Sequence, residues 1–269
     1  MSGRIFMPYA VVQKDLEAPA IERLKAAFRN VPGLTAIDAQ TVGNDAFGIL
    51  VKGFTLENAN RLNQALQAQG VETEVVEESM LPTLPPGPNT TFVDCTPEQL
   101  VVYDSLNRPV QVDWQSVVLI AAGKVPLIEF NKIRVETPAS PFDPANFGRE
   151  YEYQPRTNTE YETREERQHH LLLEIILEGG ISRYGIDAGK SAHLLFRYLG
   201  ERKTRDLQAN FTLLIQDLAS FAPHAAVNRG TYYFRERAAQ PFFYPSKNAF
   251  YEEIIWLLWK LSQKQPPGY

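Results

Sequence analysis

Residues 81–89 read LPTLPPGPN, and four prolines in nine positions stop any helix or central strand from passing through them. Such a segment favours extended, polyproline-like geometry, so the chain divides there. We expect a first module over 1–80, a proline-rich linker over 81–91, a second module over 92–222, and a C-terminal extension with a docking helix over 223–269.

Residues 4–13 are rich in β-formers and read as a strand. Pro19 suits the first turn of a helix, and Ile21, Leu24, Phe28 and Val31 follow at helical spacing until Pro32 and Gly33 stop it. Residues 34–40 alternate apolar and polar positions and read as a strand. Gly43, Asn44 and Asp45 read as a turn, and 47–54 as a further strand. Thr55 caps a helix with Leu56, Ala59, Leu62 and Leu66 on one stripe, and Gly70 ends it before a last strand over 71–77. The order is βαββαβ, the ferredoxin-like split arrangement. Two helices cover one face of such a sheet and leave the other open to solvent. That fold hosts many functions, so chemistry has to be sought residue by residue. The loop at 14–17 holds no cysteine for a soft metal, and 46–54 holds Phe47 and Phe54 without the basic-aromatic run that stacks RNA bases.

The second module reads as strands at 100–104, 110–114, 117–121 and 125–129, with Gly123 and Lys124 as a turn. Thr96 and Gln99 have capping-box spacing, which predicts a helical turn. Residues 137–168 hold Pro138, Pro141, Pro144 and Pro155 among charged and tyrosine residues with no apolar period, so we expect a long loop. Strands at 170–177, 181–186 and 192–199 follow. Asp206 caps a helix carrying Leu207, Phe211, Leu214 and Leu218 on one face. Antiparallel strands closed by such a helix resemble, in topology, the pleckstrin-homology-like barrel. After Pro245 and Ser246 a final helix presents Phe250, Ile254, Leu257, Leu258 and Leu261, widened by Trp256 and Trp259, a surface broad enough to require docking. The fold class is α+β, a ferredoxin-like βαββαβ module followed by an antiparallel barrel-like module capped by C-terminal helices.

Several short runs carry a further likeness: Pro8-Tyr9-Ala10, Trp114 with Ala121-Ala122-Gly123, Asn210-Phe211, Ala222-Pro223, Asn228-Arg229-Gly230 and Trp256-Leu257-Leu258-Trp259. With them the layout resembles uncharacterised bacterial two-module proteins. The resemblance implies layout and gives no residue a role.

Net charge is −5, which favours solubility and opposes strong polyanion binding. The single cysteine, Cys95, excludes an intramolecular disulfide and fits a reducing compartment. No signal-peptide pattern and no apolar run near the ~20 residues of a membrane span is present. We expect a cytoplasmic protein without a membrane partner.

Catalytic patterns are missing. His169 and His170 are adjacent and would point to opposite faces of a strand. Cys95 lies beside Asp94, whose charge works against a thiolate. Gly189-Lys190-Ser191 matches the end of a phosphate-binding loop, but Tyr184 stands where its first glycine belongs. Ser182, Ser191 and Ser220 sit in no nucleophile elbow. We expect no catalytic residue, metal or cofactor.

One feature remains. Between Arg183 and Arg237, nine Lys and Arg stand against five acids in a chain that is acidic as a whole. The binding candidates are Arg197, Arg202, Lys203, Arg205, Arg229, Tyr232, Tyr233, Arg235 and Arg237. Tyr and Arg anchor protein interfaces, so we expect a non-enzymatic protein-interaction or regulatory protein with a protein partner. A nucleic-acid-associated protein using this basic aromatic strip is the alternative. An enzyme with an inter-module site built from His224, Asn228 and Arg229 is a third reading. The acidic run Glu160, Glu162, Glu165 and Glu166 reads as a solvated stretch that folds over the basic strip as a latch.

Overall fold

The computed structural model describes residues 7–45, 48–84, 86–87, 90–104, 106–138, 157–178, 182–236 and 242–264. The chain is α+β. Its first elements are β1 (Tyr9–Gln13), α1 (Ile21–Phe28), α2 (Ala36–Asp45), β2 (Ile49–Phe54), α3 (Leu56–Ala68) and β3 (Thr73–Glu77). Then come β4 (Thr90–Cys95), β5 (Leu100–Asp104), β6 (Pro109–Val112), β7 (Val117–Pro138) and β8 (Thr157–Leu177). The last are β9 (Arg183–Asp187), α4 (Ala188–Leu195), α5 (Leu207–Phe221), β10 (Ala226–Val227), α6 (Arg229–Arg235) and α7 (Lys247–Lys264). Two compact units emerge: one of Met1–Pro126 with His169–Tyr269, the other Leu127–Gln168.

Three sheets have the orders β2-β1-β3, β4-β5-β6 and β10-β7-β8-β9. In the first, β1 is central and antiparallel to both neighbours. Alternation along β1 sends Val11 to one face and Ala10 and Val12 to the other. The Val11 face meets Leu24 and Phe28 of α1 and Leu62 and Leu66 of α3. The opposite face is not open to solvent: Trp256 and Trp259 of α7 cover it. The Trp256 indole N–H also donates to the Gln13 carbonyl at 2.7 Å, which satisfies its one polar atom. In the second core, Leu171, Leu173 and Ile175 of β8 pack with Phe211, Leu214 and Leu218 of α5. Caps confirm the helix starts: Thr55 accepts from the Asn58 N–H, Asp206 from Ala209, and the Ser246 hydroxyl from Ala249.

Several expectations are corrected. Residues 36–45 form helix α2, so the first sheet has three strands and lacks the fourth of a βαββαβ order. The signal that wins is a reciprocal cap: the Thr35 hydroxyl accepts from the Asp38 N–H, and the Asp38 carboxylate accepts from the Thr35 N–H and hydroxyl. Thr96 makes the same side-chain bond to the Gln99 N–H, yet its own N–H donates to the Gln99 carbonyl and closes the β4–β5 hairpin instead of a helix. Residues 192–195 belong to α4, not to a strand, and the buried Leu195, Phe196 and Leu199 keep helical spacing. Gly123 is no turn: β7 runs straight through it, and a Cβ there would lie 2.4 Å from the Tyr244 ring. Residues 157–168 are strand, not loop, and only 139–156 of the expected loop fall outside the described residues. None of the described sheets closes into a barrel.

The N-terminus of α6 is clamped to β7. The Asn228 amide accepts from the Ala122 N–H and donates to the Ala122 carbonyl, both at 3.0 Å, as a neighbouring strand would. Thr231 donates to the Ile120 carbonyl. So close an approach needs a glycine, because a Cβ on Gly230 would lie 1.9 Å from the Ala122 oxygen. Gly230→Ala should therefore cost about 1–3 kcal/mol or more, far beyond one methyl on an ordinary helix, read as a fall in the urea midpoint.

Candidate interaction surface

Helix α7 brings together the most buried charge in the described chain. Glu253 is 0% exposed. Its carboxylate accepts from the Arg229 N–H at 2.9 Å and the Tyr244 hydroxyl at 2.7 Å, and the Arg229 guanidinium pairs with it at 3.4 Å. Asn228 donates to the Tyr244 oxygen, and Arg229 also reaches the Leu16 carbonyl of the first module at 3.4 Å. Burial, then the charge of Glu253, pushes the Tyr244 hydroxyl well above its ordinary range. Three donors converge on the Glu253 carboxylate, and the network braces the fold.

A second polar cluster lies on one face of the β8–β9 pair. Glu174 is buried, accepts from the Tyr251 hydroxyl at 2.7 Å, and faces Arg183 at 3.9 Å. Arg183 lies over the Tyr251 ring at 5.3 Å. Along the same face His170 meets Asp187 at 2.7 Å. Burial raises the Glu174 carboxyl above its ordinary range, against the pull of Tyr251, Arg183 and Lys247. Spacing alone puts His170 and Glu174 on one strand face, but their partners come from β9 and α7 and meet them only through the fold.

The basic strip divides. Arg202 is held on Asp217 by two bonds, at 3.0 and 2.8 Å. Arg197 lies over the Phe92 ring at 5.2 Å, and Lys203 and Arg205 are exposed. On α6, Tyr232 and Tyr233 are exposed while Phe234 is buried, and Arg235 sits 3.9 Å from Glu236. The two groups flank α5 at neighbouring positions: Asp217 takes Arg202, and Gln216 reaches the carbonyls of Phe234 and Arg235. Arg229 leaves the strip for the buried Glu253, and Arg237 lies outside the described residues. Of the three residues suggested for an inter-module enzyme, Asn228 and Arg229 meet in the brace and His224 is exposed. The Cys95 thiol is pushed far up, chiefly by burial. Among the described residues no cluster of His, Cys, Asp or Glu suits a metal ion, and no helix is long and apolar enough to cross a membrane.

The surface that stands out is Leu127–Gln168, where β7 and β8 continue as a two-stranded ribbon. No described side chain in it is buried, and Ile128 and Phe130 are 56% and 68% exposed. Within the first unit the outer edge of β7 is covered in sequence by β10 at Leu119 and Ile120, by the Asn228 amide at Ala122, and by Phe242–Tyr244 at Lys124. No protein-family model, curated protein or solved structure matches the chain.

The raised Glu174 carboxyl has a consequence for stability. The fold prefers its neutral form, so the stability it gives is complete below the ordinary value of 4.5 and is lost as pH rises through the folded value. Glu174→Gln should accordingly gain on the parent in urea midpoint between about pH 4 and about pH 7. A gap that closes over that range would mean that pairing with Arg183 outweighs burial.

Proposed function

We propose that the protein is a non-enzymatic interaction or regulatory protein that engages a protein partner through the ribbon of residues 127–138 and 157–168. The observation that carries this reading is that none of the ribbon's described side chains is buried, with Ile128 and Phe130 exposed on one strand. A two-stranded ribbon is marginal in water by itself and gains stability when another surface covers it. Aromatic and aliphatic side chains held on a strand are also the anchors around which interfaces form.

The nucleic-acid alternative draws less support. Arg202 and Arg229, two of its cations, are matched by Asp217 and Glu253. A partner bound through phosphate contacts would also dissociate steeply with salt, whereas one held by Ile128 and Phe130 would not.

The test is co-purification of the tagged protein from its own host, with native mass spectrometry, for the parent and for Ile128→Ser/Phe130→Ser. A protein partner should appear with the parent and weaken at least about tenfold with the variant, while the urea midpoint stays in place. A partner retained undiminished by the variant, or a parent that emerges bare, would contradict the reading.

A further inference from the structure

The proline-rich linker touches the second polar cluster. Near its start Leu81 packs against the core that holds Trp256 and Trp259, and further on Gly87 lies on Arg183 of β9. A Cβ on Gly87 would fall 2.9 Å from the Arg183 Nε, 3.1 Å from its Cγ and 3.4 Å from its carbonyl oxygen, so the linker backbone is seated directly on the arginine. Arg183 also faces Glu174, whose side chain is 6% exposed. The Glu174 Oε1 accepts from the Tyr251 hydroxyl at 2.7 Å. Its Oε2 stands 3.9 Å from the Arg183 Nε, beyond hydrogen-bond reach. Both atoms are buried, and among the described residues neither has a hydrogen-bond partner.

A buried carboxylate and a buried guanidinium side by side would close such a gap into a charge-assisted bond. A carboxyl that keeps its proton on Oε2 would not, because its O–H and the Arg183 N–H then face each other as two donors. The spacing therefore fits the neutral acid, and burial, which raises the Glu174 carboxyl above its ordinary range, favours the same form. The groups that face Glu174 are Arg183 from β9 and Tyr251 and Lys247 from α7, with His170 and Asp187 further along the face. Ala122 packs with Leu173 on the α5 side, so β7 turns the uncharged Ala121 and Gly123 toward Glu174. The Tyr251 ring carries Arg183 at 5.3 Å and Lys247 at 5.7 Å. Of these two cations, Arg183 is the one on which Gly87 rests.

We propose that Glu174 and Arg183 form a proton-controlled catch on the proline-rich linker: with Glu174 protonated, Arg183 stays beneath Gly87 and holds the linker on β9, and when Glu174 gives its proton to solvent, Oε2 accepts the Arg183 Nε–H and draws the guanidinium away from that seat. The linker is thus held at low pH and loosened as pH rises through the ionisation of Glu174. The catch uses no residue of the ribbon and stands independently of what the ribbon binds.

The experiment is an NMR titration of the full-length protein between about pH 4 and about pH 8, reading the Glu174 carboxyl carbon, the Arg183 Nε–H and the Gly87 amide. The Glu174 carbon should titrate with a midpoint above the ordinary 4.5, and the other two signals should move with that same midpoint. Glu174→Gln keeps the shape of the neutral acid, so the Arg183 and Gly87 signals should then stay flat over the whole range. Arg183→Gln should leave Glu174 titrating, at a higher midpoint, and leave Gly87 flat. A Glu174 midpoint at or below 4.5 would overturn the catch, as would an Arg183 or Gly87 signal that ignores the midpoint of Glu174. A Gly87 response that survives in either variant would overturn it too, since the linker would then be sensing something other than the movement of Arg183.

Discussion

Helix α7 is buried from two sides, and the rest of the first unit depends on it. Trp256 and Trp259 close the open face of the β1 sheet, and Lys260 and Lys52 tie its flanks to Glu74 and Glu252. On its other side Phe250 packs beside Tyr244 over Gly123 of β7, and Glu253 receives Arg229 and Tyr244. A carboxylate taken out of water costs several kcal/mol unless its acceptor sites are filled, and here three donors fill them. That requirement fixes where α6 starts, how close it lies to β7, and why Gly230 and Asn228 occupy its first turn.

Arg229, the cation most central to the basic strip, is spent inside the brace, and Arg202 is held by a bidentate contact to Asp217. Among the described residues, the apolar side chains left exposed include Ile128 and Phe130 of the ribbon.

Helix ends were legible in the sequence wherever the cap was local. Thr55, Asp206 and Ser246 each hold an N–H three residues on. The apolar stripe of α7 was legible as a surface in need of docking, although its register was not, since Trp256 and Trp259 carry the burial rather than Leu257 and Leu258. Errors arose where one pattern serves two structures. Thr35 with Asp38 starts a helix within an alternating stretch, and Thr96 with Gln99 closes a hairpin from the same spacing. Strand β8 was missed over 157–168 because strand prediction looks for a buried face, and none of its described side chains there is buried. The polar clusters were invisible for a simpler reason: Glu174 and Tyr251, or Asn228 and Ala122, are far apart in the chain and meet only through the fold.

Native-state hydrogen exchange on the isolated full-length protein tests the central claim most directly, namely that a body braced by α7 carries a ribbon built for a partner. Amides of β1, β7 up to Pro126 and α7 should share the highest protection and open together, while those of 127–138 and 157–168 exchange faster by at least about a hundredfold. Ribbon amides as well protected as those of β1 would contradict the account, because a ribbon stable alone has no need of a partner to complete it.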